Sequence, residues 1–255
     1  MMMNEMVTVL FLILGFIFGS FFNVAGLRIP KKKSVVFPAS HCPSCGHKLR
    51  WYENIPVLSF IMLKGKCSAC RMKISLLYPV TEISTGLLFA YCYMKTGFQL
   101  ELAAALLLVS LLAVITVSDL KYMVIPDKVL LFFLIFFILV RIIEPLNPWW
   151  DSVLGALAGF LILYLLAVIS RGGMGGGDIK LFFVLGIILG TKKVLLALFI
   201  ASLAGALYGL ALMVKKGFKK RIPVPFGPFI ATGSLFAYFY GDDLISWYLH
   251  TFLYM

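Results

Sequence analysis

Two aspartates sit where an acid is costly. Asp178 ends the glycine-rich run Gly172-Gly173-Met174-Gly175-Gly176-Gly177 at the head of an apolar stretch, and Asp119 closes another such stretch. Acids at membrane depth mark ion paths, proton relays or catalysis by default. Brought close, two aspartates do not both ionise easily, so one keeps a proton while the other polarises water against a peptide carbonyl. An unperturbed aspartate titrates near ~3.9, so burial or like-charge proximity is needed to make one a usable acid near neutrality. Gly175, Gly176 and Gly177 have no Cβ and let a second chain approach their backbone, which makes them the candidate substrate-binding strip. Plainer readings stand beside these: Asp178 as a helix cap at the positive end of the dipole, and Asp119 as an interfacial acid paired with Lys121. Asp127, directly after Pro126, has the usual place of a first-turn acid and ranks below Asp119. No His-Glu-x-x-His occurs, and His41, His47 and His250 lie outside the expected spans, so metalloprotease and Ser-His-Asp readings lack their central residue.

The second cluster is sulfur. Cys42-Pro43-Ser44-Cys45 and Cys67-Ser68-Ala69-Cys70 form C-x2-C-x21-C-x2-C, close to the spacing of a closed tetrahedral zinc site. Four thiolates leave no open coordination position, so the metal is expected to hold shape rather than to hydrolyse. Two disulfides are the rival, disfavoured in the reducing compartment that charge assigns to this segment. The segment has too few apolar groups for its own core, so ligation would supply much of its folding energy. His41 and His47 flank the first pair as possible substitute ligands, and Cys92 is expected to pack as a small apolar side chain.

The elements that must position these groups are helices in a lipid bilayer. The chain has 255 residues, 62% of them hydrophobic, and a mean hydropathy of +1.00. Its uncharged runs approach the ~20 residues that cross a ~30 Å hydrocarbon core. They are continuous, which excludes the alternating strands of a transmembrane barrel. The expected spans are 6–27, 77–93, 100–118, 129–143, 153–169, 179–190, 194–214 and 226–240, so the fold class is an all-α polytopic membrane protein of about eight transmembrane helices. The sixth is short, ~18 Å at ~1.5 Å per residue, which would hold Asp178 and its glycines in a wet, protein-lined recess below the surface. The apolar tail from Leu244 to Met255 is expected to be interfacial, and Trp149 and Trp150 suit an aromatic belt.

A net charge of +12 invites a nucleic-acid reading, but the basic residues gather beside the apolar runs, and membrane topology explains them better. Residues 28–73 carry ten Lys and Arg against one acid, Glu53. That makes this loop cytosolic and the N-terminus external. Alternation from there puts nineteen of the 23 basic residues inside. Asp119 and Asp178 then both lie toward the cytosolic leaflet.

These residues resemble a known family. Gly19-Ser20-Phe21-Phe22-Asn23-Val24 with Arg28 and Pro30, the paired cysteines, Glu53-Asn54-Ile55-Pro56, Tyr78-Pro79 with Glu82, Asp119 to Pro126-Asp127, and Gly175-Gly176-Gly177-Asp178-Ile179-Lys180 look like a bacterial type IV prepilin peptidase, nearly end to end. The resemblance implies a membrane aspartic protease of the G-x-G-D class in the bacterial inner membrane, cutting leaders from prepilins or pseudopilins at the cytosolic face. It implies Asp119 and Asp178 as the catalytic pair. It also implies N-methylation of the new N-terminus with S-adenosylmethionine as donor, placed in the basic loop, where Glu53 and Glu82 are the acids available to position an amine. The expected organisation is a first transmembrane helix (1–27), a zinc-binding cytosolic loop with the methyltransferase region (28–76) and a seven-helix peptidase domain (77–255). The rivals are a peptidase without methylation, a proton-coupled transporter with a zinc-bound partner module, and an archaeal-type preflagellin peptidase. Neither paired repeats nor a polar pore helix supports the transporter, and the cysteine loop speaks against the archaeal relative.

Overall fold

The computed structural model describes residues 2–170, 173–216 and 224–252. Among them the chain is helical: α1 (Met2–Arg28), α2 (Leu58–Met62), α3 (Leu77–Thr96), α4 (Leu100–Tyr122), α5 (Asp127–Ile143), α6 (Asp151–Ile169), α7 (Gly176–Lys216) and α8 (Gly227–Phe252), with a 3-10 turn at Trp51–Asn54. No strand occurs among the described residues, only the isolated bridges His41 to Lys48 and Lys66 to Lys73. Four helical stretches, Met3–Arg28, Leu100–Tyr122, Asp151–Ile169 and Gly176–Lys215, are long and apolar enough to cross a membrane. Arg171, Gly172, the basic residues Lys219 to Arg221, Pro223 and the last three residues of the expected tail lie outside the described residues.

The chain divides into two compact units, Met1–Lys121 and Tyr122–Met255. In the first, α1 and α3 run antiparallel, and glycine is what lets them close. A Cβ at Gly19 would stand 2.8 Å from the Glu82 Cα, and one at Gly15 would stand 2.6 Å from the Gly86 Cα. Farther along, Gly26 meets Val117 of α4 in the same way, at 2.7 Å. Leu108, Leu111 and Ile115 of α4 are fully buried. Helix α3 stops at Gly97, whose φ of 62° suits glycine and whose N–H donates to the Tyr93 carbonyl.

The second unit turns on Gly190. Straight, α7's 41 residues would reach ~61 Å, about twice the hydrocarbon core. A Cβ at Gly159 of α6 would touch both the Phe182 carbonyl oxygen at 2.7 Å and the Val194 side chain at 3.4 Å. Twelve helical residues span ~18 Å, so the chain must double back between these two. It does so at Gly190, where φ is 75° and ψ is 177°, a region open almost only to glycine. The expected sixth and seventh spans are thus the two arms of one helical hairpin. Side chains tie its bend: Arg141 Nη2 donates to the Ile188 carbonyl at 2.7 Å, and the Asp151 carboxylate accepts the Thr191 N–H at 3.2 Å. A methyl group on Gly190 would overlap the Asp151 carboxylate. Gly190→Ala therefore lowers the stability of the folded protein by about 1–3 kcal/mol from backbone strain alone. Thermal unfolding in detergent measures it, and an unshifted midpoint would contradict the bend.

Helix α8 does not stop at Tyr240. Gly241-Asp242-Asp243 reads as a helix end, but Lys193 pairs with Asp242 at 2.7 Å and lays its stem against Gly241. The helix runs on to Phe252, so residues from Leu244 to that point continue it.

Candidate functional site

Asp119 lies in the last turn of α4, 6% exposed, beside fully buried Ser118. Asp178 is the third residue of α7 in the second unit and is half-buried. It occupies the first turn rather than the cap position, still at the positive end of the helix. Its N–H donates to the Gly175 carbonyl at 3.1 Å, and a Cβ on Gly175 would stand 3.0 Å from Asp178 Oδ2. The carboxylate therefore folds back over Gly175. Gly177 is needed for a different reason, since its Cβ would meet Ile125 at 2.8 Å, while Gly176 faces open space and is exposed. Of the three strip glycines, Gly176 is the one with no packing reason of its own. Asp127, in the first turn of α5, accepts both oxygens' worth of contact from Lys180 Nζ at 2.8 and 2.9 Å. That pair is more than half exposed and stabilises little.

The four cysteines converge. All four Sγ atoms lie within 4.8 Å of one another, and Cys42 Sγ is 3.8 Å from Cys70 Sγ. Tetrahedral Zn–S bonds of ~2.3 Å require S···S separations of about 3.8 Å, so the donor set fits zinc. The two halves repeat one design. Cys42 N–H donates to the His47 carbonyl and Cys67 N–H to the Met72 carbonyl, both at 2.9 Å. The residue after each second cysteine, Gly46 or Arg71, has positive φ, 72° and 60°. Backbone N–H groups of Cys45 and Ser44 pull the Cys42 thiol down to about 6, while on Cys45 the His47 N–H is outweighed by burial and the neighbouring thiols, which push it up to about 11, so Cys42 is the first of the two to offer a thiolate. His41 and His47 are turned to other work, on the Ala39 carbonyl and on Glu53.

Glu53 ties the two halves together. Its Oε2 accepts the Arg50 N–H at 2.7 Å and contacts His47 Nε2 at 3.1 Å, and the Ser68 hydroxyl also bonds it. These contacts, the Arg50 N–H first, hold the Glu53 carboxyl down at about 2. Its support of the loop is therefore fully present above the ordinary glutamate range and is lost only as pH falls through about 2. Glu53→Gln is expected to speed zinc loss to a chelator by about tenfold, as for other partners that steady a metal's ligands. A competition assay with a zinc dye reads this, and an unchanged rate would argue against the role.

Glu82 is different. It is buried in the second turn of α3, where its Oε2 accepts the Val57 N–H at 2.8 Å and the Ser20 hydroxyl bonds the carboxylate. Val57 has φ 64° and ψ −51°, and the Leu58 N–H closes onto the Pro56 carbonyl, so Val57 is held in a rare, strained γ-turn. One turn of α1 beyond Ser20, Asn23 donates from Nδ2 to the Tyr78 carbonyl at 3.1 Å. Sequence reasoning treated Ser20 and Asn23 only as matching residues; their signal was two polar side chains one helical turn apart in an otherwise apolar helix.

Comparisons with known proteins align with this layout. A family model described as the bacterial peptidase A24 N-terminal domain matches residues 13–96, and that of the type IV leader peptidase family matches residues 106–210. The chain is 48% identical over 244 residues to a prepilin leader peptidase/N-methyltransferase of Bacillus subtilis (strain 168), covering 96% of this chain and 98% of that one. It is 36% identical to one from Aeromonas salmonicida (strain A449), covering 88% and 78%, and 32% identical to one from Pseudomonas aeruginosa, covering 93% and 92%. No solved structure matches the chain.

Proposed function

Since the chain belongs to the type IV leader peptidase family, we infer that it is a membrane enzyme that removes leaders from prepilins and N-methylates the product. The observation that carries this is the 48% identity running through both matched domains to a prepilin leader peptidase/N-methyltransferase. We assign Asp119 and Asp178 as the peptidase acids. Both fall inside the matched segment 106–210. In this reading one carboxylate takes a proton from water as it attacks the scissile carbonyl, and the other donates a proton to the leaving amine. Exposed Gly176 offers the unwound substrate a backbone to pair with, in the manner of an added strand.

The surrounding assignments follow from charge and composition. The excess of basic residues over 28–73 supports a cytosolic loop, an external N-terminus, a cytosol-facing peptidase site and a place in the plasma membrane. The hairpin form of α7 supports eight crossings rather than seven. Residues 28–76, with zinc as their structural metal, form the methyltransferase region, and residues 77–255 the peptidase. S-adenosylmethionine supplies the methyl group. Mass spectrometry of a candidate prepilin after exposure to the protein, with and without S-adenosylmethionine, tests both activities. A leader-sized loss scores cleavage and a methyl-sized gain scores transfer. An intact prepilin would overturn the peptidase reading.

A further inference from the structure

Two buried acceptors in the first unit lack what their chemistry calls for. The Glu82 carboxylate, 7% exposed, has only neutral donors, the Val57 N–H and the Ser20 hydroxyl. No cationic side chain pairs with it among the described residues. Asn23 is 1% exposed, and while its Nδ2 bonds Tyr78, its Oδ1 has no partner. Either is costly alone: a carboxylate at membrane depth without a countercharge marks a functional site, and a buried acceptor left unmet loses its hydration for nothing. They share one seam. Ser20 and Asn23 lie one turn apart on α1, Tyr78 and Glu82 one turn apart on α3, and hydrogen bonds join Ser20 to Glu82 and Asn23 to Tyr78.

What satisfies both is a compact cation with several N–H donors. A primary ammonium has three and no acceptor. A guanidinium needs a planar, two-oxygen dock, and Glu82 Oε2 is already engaged by Val57. Calcium would want six or more oxygens. We propose that Ser20, Asn23 and Glu82 form the seat of the primary ammonium at the N-terminus of a mature pilin, and that Glu82 takes its proton before methyl transfer. The assignment rests on the transferase reading above and separates the two acids it left open, because Glu53 is committed to Arg50, His47 and Ser68. The seat borders the transferase loop 28–76 rather than lying within it: Glu82 stands five residues into α3, roughly 7 Å from its start, and is held by Val57 of that loop.

The step balances. An N–H bond of the ammonium breaks and its proton passes to Glu82. The freed lone pair on nitrogen forms the N–CH3 bond as the S–CH3 bond of S-adenosylmethionine breaks, its electron pair staying on sulfur. The product is a secondary ammonium and a neutral thioether, and Glu82 returns its proton to water. Asn23 Oδ1 accepts a remaining N–H and aims the lone pair.

The test uses the full-length protein and two peptides of the mature pilin N-terminus, one with a free amine and one acetylated. In the absence of S-adenosylmethionine, the free amine is expected to bind about 30-fold more tightly than the acetylated form. Glu82→Gln brings the two within about threefold, and Asn23→Ala, which keeps the carboxylate, narrows the gap. Methylation of the free peptide falls at least about 100-fold in Glu82→Gln, and Glu82→Asp recovers part of it. Equal binding of the two peptides by the unsubstituted protein, or an unchanged ratio in Glu82→Gln, overturns the seat. Should Glu82→Gln not fold, an unchanged ratio in Asn23→Ala overturns it instead. A preserved preference with no methylation by the unsubstituted protein supports the seat and overturns the transferase reading alone.

Discussion

Asp119→Asn and Asp178→Asn each lower leader cleavage by about 10²- to 10⁴-fold, the range expected when an acid–base group is removed. An amide neither takes a proton from water nor gives one to the leaving nitrogen, yet it has nearly the same shape. Asp119 is buried in the last turn of α4 and Asp178 sits over Gly175 in the first turn of α7, so neither change opens a cavity. The protein should insert, keep its zinc and elute as before. The double variant should be little worse than either single one, because residues that act as a unit are strongly non-additive. Asp127→Asn is the control: its partner Lys180 is exposed with it, and cleavage should change less than about threefold. Time courses of prepilin shortening decide the matter. Ordinary processing by either variant, or a double variant whose loss is the product of the singles, would sink the dyad.

Stripping the metal, or replacing Cys45 or Cys70 by serine, unfolds residues 41–73 and abolishes methyl transfer. A structural zinc site contributes on the order of 10 kcal/mol to such a loop, and what lies between the two cysteine pairs is slight: a 3-10 turn and the five-residue α2. The loss reaches Glu82 as well, since the Val57 N–H that holds its carboxylate belongs to this loop. Leader cleavage should fall far less, because residues 106–210 carry both acids and none of the four cysteines. Metal analysis should return one zinc per chain, and limited proteolysis should move to the loop once the metal is gone. A metal-free protein that still methylates at full rate, or resists protease in the loop, would refute this.

Much of this was legible in the order of residues. The apolar runs placed α1 and α3 to α6 closely, because in a bilayer continuous hydrophobicity admits little besides a helix. Cysteine spacing fixed which thiols meet. The run of α8 past Tyr240 was not legible, because the Lys193 that meets Asp242 comes from α7. The roles of Glu53 and Glu82 could not be told apart in sequence, where one is the lone acid of a basic loop and the other the lone acid of an apolar run. Only their neighbours separate them: one is saturated by the cysteine loop, the other meets two neutral donors. Asn23 gave a polar signal in α1 but no hint that its amide would be satisfied on one side alone.

The bend at Gly190 has a consequence for the arm that carries Asp178. From Gly176 to the bend that arm is about 14 residues, roughly 21 Å against a ~30 Å hydrocarbon core. Residues 181–190 are buried in protein at all but one position, so the shortfall is bordered by side chains of the second unit rather than by acyl chains. A helix screened in this way can begin short of the headgroups without presenting its unpaired first-turn N–H groups to hydrocarbon.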